Sequence, residues 1–283
     1  MDKSFLLLFF KKEVFSLPLA FRTPKEPPMD LIRTEIAGHI AVVTMDAPPV
    51  NAVSTQFMEE IMAAFDRIND LDDVRVAVLT GAGKCFSAGA DIKSRARGHA
   101  EPGQAWAHGR RAREMSWSIV DCKKPVIAAV NGPALGAGLG LAASCDILLC
   151  SENATIGLPE VDVGLMGGGR HTMRLFGHSL TRRMMMTGYR VPGAELYRRG
   201  IVEACTPPEG LMPAAMDMAR LIASKSPVAT RMAKYSAATI EFMTLRDGYR
   251  FEQNLTVELG KTEDSKEAMA AFIEKRLPDF KGR

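Results

Sequence analysis

The chain has 283 residues, 47% of them hydrophobic and 24% charged, and a formal net charge of +3. That balance belongs to a globular chain with apolar material for one large domain or two modest ones. No dense Lys/Arg block interleaved with aromatics is present, so nucleic-acid binding finds little support.

The N-terminus opens with Phe5-Leu-Leu-Leu-Phe-Phe10, then Lys11-Lys12 and a proline-bearing run to Pro28. Six apolar residues are too few to span a membrane, and no small-residue cleavage site follows directly. Residues 1–28 therefore read as a poorly ordered extension, with Met29 a second candidate start. From Leu31 to Met45 two strands flank Ala37-Gly38-His39, a hairpin pattern. Ala47-Pro-Pro-Val-Asn-Ala-Val-Ser54 breaks the sheet and leads to a helix with Phe57, Ile61, Phe65 and Ile68 on one face. Val74–Thr80 is a strand. The Arg-rich stretch from Lys93 to about Arg113 reads as a loop or mobile helix outside the core.

A helix into Val120 precedes a buried strand at 125–130. Asp146–Cys150 and a short run near Ala154–Gly157 are further strands. Strand–helix alternation of this kind predicts an α/β fold with a mostly parallel sheet. Beyond Gly164 the strand signals fade and helical patterns dominate, over 211–222, 228–242, 245–259 and 264–275, with breaks at Gly188–Pro192 and Lys225–Pro227. The chain thus divides into an α/β core over 29–190 and a helical C-terminal region over 191–283. The five cysteines (Cys85, Cys122, Cys145, Cys150 and Cys205) are scattered and lack a C-x-x-C pair. They read as buried apolar residues in a reducing, cytoplasmic setting, with no metal site.

The chemistry concentrates in two glycine-rich turns, each following a strand. Asn131-Gly-Pro-Ala-Leu-Gly-Ala-Gly-Leu-Gly-Leu-Ala-Ala-Ser-Cys-Asp146 has no side chain larger than leucine between Pro133 and Asp146. Small residues where a helix starts let a ligand approach the backbone, and the first helical N–H groups point outward with the positive dipole end behind them. Such a place suits an anion, bound or formed in a reaction, although close helix–strand packing accounts for the composition equally well. Val74–Gly81 runs into Ala82-Gly-Lys-Cys-Phe-Ser-Ala-Gly-Ala-Asp-Ile-Lys93, a second such turn. A dinucleotide fingerprint fails here, because G-x-G-x-x-G is broken at Lys84-Cys85-Phe86.

Phe86–Lys93, Asn131–Asp146 and Gly157-Leu-Pro-Glu-Val-Asp-Val-Gly-Leu165 resemble, in order and spacing, the crotonase superfamily of enoyl-CoA hydratases and isomerases. The resemblance runs from about Met29 to the C-terminus. It implies a spiral of β-β-α turns and a helical C-terminal trimerisation region, hence a homotrimer or a dimer of trimers, without a membrane partner. It also implies an acyl-CoA substrate and no separate cofactor, coenzyme A being part of the thioester. The N–H groups of Ala90 and Ala137 match the positions that bind the thioester oxygen, where enolate charge develops. Each such donor is worth about 3–4 kcal/mol. Ala88 matches a position meeting the CoA adenine, with Asp91 and Ile92 beside it as candidate binding residues. Glu160 matches an acid/base glutamate whose pKa apolar surroundings would raise.

One resemblance fails. Hydratases usually carry a second glutamate where this chain has Gly140, and dienoyl isomerases carry aspartates there and at the position of Gly168. A one-glutamate site resembles enoyl-CoA double-bond isomerases, with hydration as the alternative, then decarboxylation or thioester hydrolysis, or a non-catalytic acyl-CoA binder. Arg170 and His171 stand where relatives are usually small or neutral, and solvent or an interface is the preferred destination for both. An Arg-bound acidic acyl chain is the other reading. His99 and His108 fall in the stretch that covers the acyl pocket in relatives. Met166, Met173 and Met184–Met186 read as core filling.

Overall fold

The computed structural model describes residues 31–92 and 101–283; the extension and His99 lie outside the described residues. In chain order its strands are β1 (Ile32–Ala37), β2 (Ile40–Met45), β3 (Ala52–Val53), β4 (Val76–Gly81), β5 (Gly89–Ala90), β6 (Val126–Val130), β7 (Ala134–Leu135), β8 (Ile147–Ser151), β9 (Thr155–Gly157), β10 (Arg190–Pro192) and β11 (Ala204–Thr206). Six form one sheet in the order β1-β2-β4-β6-β8-β11, antiparallel only in the β1–β2 hairpin. The hairpin turns where Gly38 and His39 both take positive φ.

Along β4 and β6 every inward and outward side chain is buried, since the sheet has a core on each face. Ala77, Leu79, Val126, Ala128 and Val130 join the larger cluster. Their alternate neighbours Val76, Val78, Ile127 and Ala129 pack instead with Leu211, Ala215, Ala219 and Ala223 of helix Pro208–Ala223. A strand covered on both faces reads as a continuous apolar run, which is why these strands stand out in the sequence. Helix α1 (Thr55–Asp70) is capped by Ser54, whose hydroxyl accepts from Phe57 N, and it buries Phe57, Ile61, Phe65 and Ile68 completely.

One expectation narrows and one changes. Of the loop and helix readings of the Arg-rich stretch, Gln104–Arg113 takes the helix, as the first part of α2 (Gln104–Val120), and the buried residues of that helix, Met115, Ser116 and Ile119, all lie beyond it. Two short strands, β10 and β11, occur beyond Gly164, where helical patterns dominate the sequence and no strand is singled out. Three residues are too few to display a period of two, so these strands leave no pattern. All five cysteines are free thiols, four of them buried. No helix among the described residues is long and apolar enough to cross a membrane.

A buried cation ties the C-terminal helices to the core. Lys234 Nζ donates to Ile119 O (2.9 Å) and Lys124 O (3.1 Å) and pairs with Asp146 Oδ2 at 2.9 Å. Asp146 Oδ2 in turn accepts from Val126 N at the start of β6 (2.7 Å). Lys234→Met is expected to lower unfolding stability by about 3 kcal/mol, because it strands a carboxylate and two carbonyls together. Denaturant midpoints read this directly, and a loss near zero would show that Lys234 is replaceable packing.

Candidate active site

The two glycine turns meet because their backbones are hydrogen-bonded to each other. Ser87 N donates to Pro133 O (3.1 Å) and Leu135 N donates to Ser87 O (2.9 Å). Glycine permits the contact. A Cβ on Gly138 would overlap Ser87 O, and one on Gly89 would lie 3.2 Å from Ala137 N. Ala90 therefore follows a residue that already touches the first turn of α3 (Ala137–Ser144).

Two asparagines hold the first turn in shape. Asn51, 2% exposed with φ 52°, donates through Nδ2 to Cys85 O (2.7 Å), Ala82 O (3.1 Å) and Phe86 O (3.2 Å). Its own carbonyl accepts from Ser87 Oγ at 2.7 Å. Asn131 Oδ1 accepts from Gly81 N (3.2 Å) while its Nδ2 donates to Gly83 O (3.0 Å). Position in the pocket is thus set by side chains that never reach it.

Ala137 opens α3, so its N–H has no partner within the helix. Every later residue of α3 is buried, while Ala137 stays partly open. Glu160 arrives by a separate route. β9 pairs in parallel with β7, placing Gly157 opposite Leu135, and Gly136 N donates to Gly157 O (3.0 Å). The 3-10 turn Pro159–Val163 follows immediately and carries Glu160. Gly136 has φ 56° and ψ −117°, and a Cβ there would overlap Glu160 Oε1 and sit 3.2 Å from Cδ. The carboxylate rests against the main chain one residue before Ala137, with Oε2 shielded from solvent.

These pieces enclose a cavity of about 520 Å³ whose wall includes Ala88, Ala90, Ile92, Ala137 and Glu160. Asp91 is not on that wall; its N–H donates to Val53 O (3.2 Å). His108 reaches the wall from α2, and Gly140 and Gly168 are on it. Asp162 also lines the cavity, but its carboxylate packs on Gly188, where a Cβ would lie 2.8 Å from Oδ2. No cluster of three or more His, Cys, Asp or Glu suited to a metal occurs among the described residues.

His171 departs from its expected place. It lies on the cavity wall, on helix α4 (Gly169–Leu175), and packs against Gly140. Burial pushes its imidazole below the ordinary histidine pKa, with the Arg174 and Arg170 guanidiniums adding to the shift. Arg170 does go outward: it is exposed, its guanidinium 5.2 Å above the Phe242 ring. Met184 fills the core as expected, whereas Met166 is 81% exposed at the cavity wall. Sequence reasoning left Asn51 and Ser116 unremarked. Asn51, two residues after Pro48-Pro49, carries a turn signal that, followed further, points to a backbone clamp.

The sequence pattern of the family described as enoyl-CoA hydratase/isomerase matches residues 35–283. A probable enoyl-CoA hydratase of Rhizobium meliloti is 36% identical over 260 residues, covering 90% of this chain and 99% of the relative. A carnitinyl-CoA dehydratase of Salmonella arizonae is 34% identical over 253 residues, 87% of this chain and 96% of the relative. The crystal structure of an enoyl-CoA hydratase from Bacillus anthracis superposes with a TM-score of 0.84 at 32% identity, covering 89% of this chain and all of that one.

Proposed function

This chain belongs to the enoyl-CoA hydratase/isomerase family, and on that premise we propose that it processes an acyl-CoA thioester through an enolate, moving a double bond with Glu160 as the carboxylate that carries the proton. One observation supports this reading above the others: Glu160 Oε1 rests on Gly136, directly before the open N-terminus of α3 at Ala137. A proton taken from carbon next to the thioester leaves charge on the carbonyl oxygen. The N–H groups of Ala90 and Ala137, held by backbone fixed during folding, stabilise that oxygen without rearranging. Glu160, resting against that helix start, then returns the proton two carbons away, which shifts the double bond. The coenzyme A moiety needs no separate cofactor, and Ala88 and Ile92 supply backbone and apolar surface along its approach.

Hydration is the second reading, favoured by a histidine on the wall at Gly140 and by the names of the relatives above. We also propose self-association through the C-terminal helices, where Leu245, Phe272, Ile273 and Leu277 are each more than three-quarters exposed. The reaction is tested by incubating the protein in D2O with a saturated acyl-CoA and with a 2-enoyl-CoA. Deuterium at C2 and C4 without hydroxyacyl product is the isomerase outcome. No exchange at any chain length, despite CoA binding, would refute enolate chemistry.

A further inference from the structure

Helix α3 presents one face to the cavity, and two proton-bearing side chains sit against that face one turn apart. Glu160 Oε1 lies against Gly136. His171 lies against Gly140: a Cβ at Gly140 would be 3.8 Å from Cδ2, the ring carbon bonded to Nε2, and 4.0 Å from Cγ. Positions four apart share a helix face and are separated by a rise of roughly 6 Å. The cavity that both groups line, about 520 Å³, has room for a substrate carbon and a water. Gly140 is buried and has no side chain, so nothing on α3 screens the imidazole from the region beside Ala137.

The surroundings of His171 suit proton traffic better than mere packing. Its ring meets Trp117 edge-on, with centroids 6.1 Å apart, and Ser116 Oγ would be 3.9 Å from the same Cβ position at Gly140. The charged groups around it are Arg170 and Arg174 on its own helix, Arg113 on α2, Glu160 on the same cavity wall, and Glu241, which is paired with Arg174 (2.9 Å). Burial, helped by the Arg174 and Arg170 guanidiniums, pushes the imidazole pKa down and so favours its neutral form. A second cavity, of about 1010 Å³, shares His171 and Arg113 with the first, so a proton received on one side has an exit on the other.

We propose that His171 is a second catalytic residue of this site, taking a proton from a water molecule as that water adds to C3 of a 2-enoyl-CoA. The proposal rests on the enolate reading and extends it to hydration. The water oxygen forms a bond to C3, its proton passes to the neutral imidazole, and the C2–C3 π pair moves toward the thioester oxygen. Glu160 in its acid form then protonates C2, giving the 3-hydroxyacyl thioester. Exchange with solvent returns the proton from imidazolium to carboxylate. Water is the only co-reactant.

The test compares the wild type with His171→Gln and His171→Ala, scoring 3-hydroxyacyl-CoA formation from a short and a long 2-enoyl-CoA. Deuterium exchange at C2 of a saturated acyl-CoA is scored in parallel. In His171→Gln the ratio of hydration to exchange is expected to fall by about 10²-fold. Added imidazole should restore part of the hydration in His171→Ala. Wild-type hydration should also fall as pH drops through the lowered His171 pKa, a readout that needs no folded variant. A ratio within about threefold of wild type overturns the proposal, being far below what general base catalysis contributes. Exchange without any hydroxyacyl product from wild type also overturns it, while leaving the enolate reading intact. Absence of exchange removes that reading and this proposal with it.

Discussion

Glu160→Gln is expected to lower turnover of acyl-CoA substrate by about 10³-fold, with little change in affinity for a CoA thioester. The amide keeps the size and reach of the carboxylate, so the packing on Gly136 and the turn at Pro159–Val163 are preserved. What disappears is the proposed carrier of the proton. Kinetics of the variant alongside equilibrium binding of a non-reactive CoA thioester separate the two effects. A variant within about tenfold of wild type would show that the proton travels by another route. A variant that loses binding as strongly as turnover would make Glu160 a structural residue.

Gly136→Ala should be nearly as damaging for a different reason. Its φ of 56° with ψ of −117° is a backbone state that residues with a Cβ avoid, at a cost on the order of 1–3 kcal/mol. The new methyl group would also occupy the space of Glu160 Oε1. Either the turn relaxes and Ala137 N moves, or the carboxylate is pushed off the helix start. A shift of about 1 Å at such a centre is enough for roughly 10²-fold in rate. Gly200→Ala is the control, since that glycine also has positive φ (67°) but a Cβ there meets nothing within 4 Å. It should lose stability by roughly 1–2 kcal/mol and keep its rate. Equal rates for the two variants would mean that the Gly136 contact is incidental.

Much of this could be read from residues because the relevant segments carry strong local signals. β4 and β6 announce themselves as unbroken apolar runs, being buried on both faces. Ser54 and the spacing of Phe57, Ile61, Phe65 and Ile68 mark α1 from cap to core face. Ala90, Ala137 and Glu160 fall on one wall because their turns are joined by backbone pairing that motif order already implies. What escaped is long-range or very short. Whether His171 faces water or Gly140 depends on how α4 packs on α3, and α4 has only seven residues to declare a face. The clamp at Asn51 depends on three carbonyls more than 30 positions away in sequence. Neither leaves a periodic trace. The contrast between Arg170 and His171 is instructive too, since adjacent residues on a helix point about 100° apart and need separate judgements.

The donors proposed at Ala90 and Ala137 would belong to the main chain, and that places them beyond ordinary point mutation. Any residue except proline supplies the same N–H, so a codon change at either site alters bulk without deleting the donor. Heritable change at this centre must then act through its spacers: Gly89 and Gly138, whose missing Cβ atoms set how near the two turns come, and Gly136, whose missing Cβ leaves space for Glu160. On the proposed reading, descendants of such a chain could acquire new substrates through side chains elsewhere on the wall while inheriting the same backbone donors.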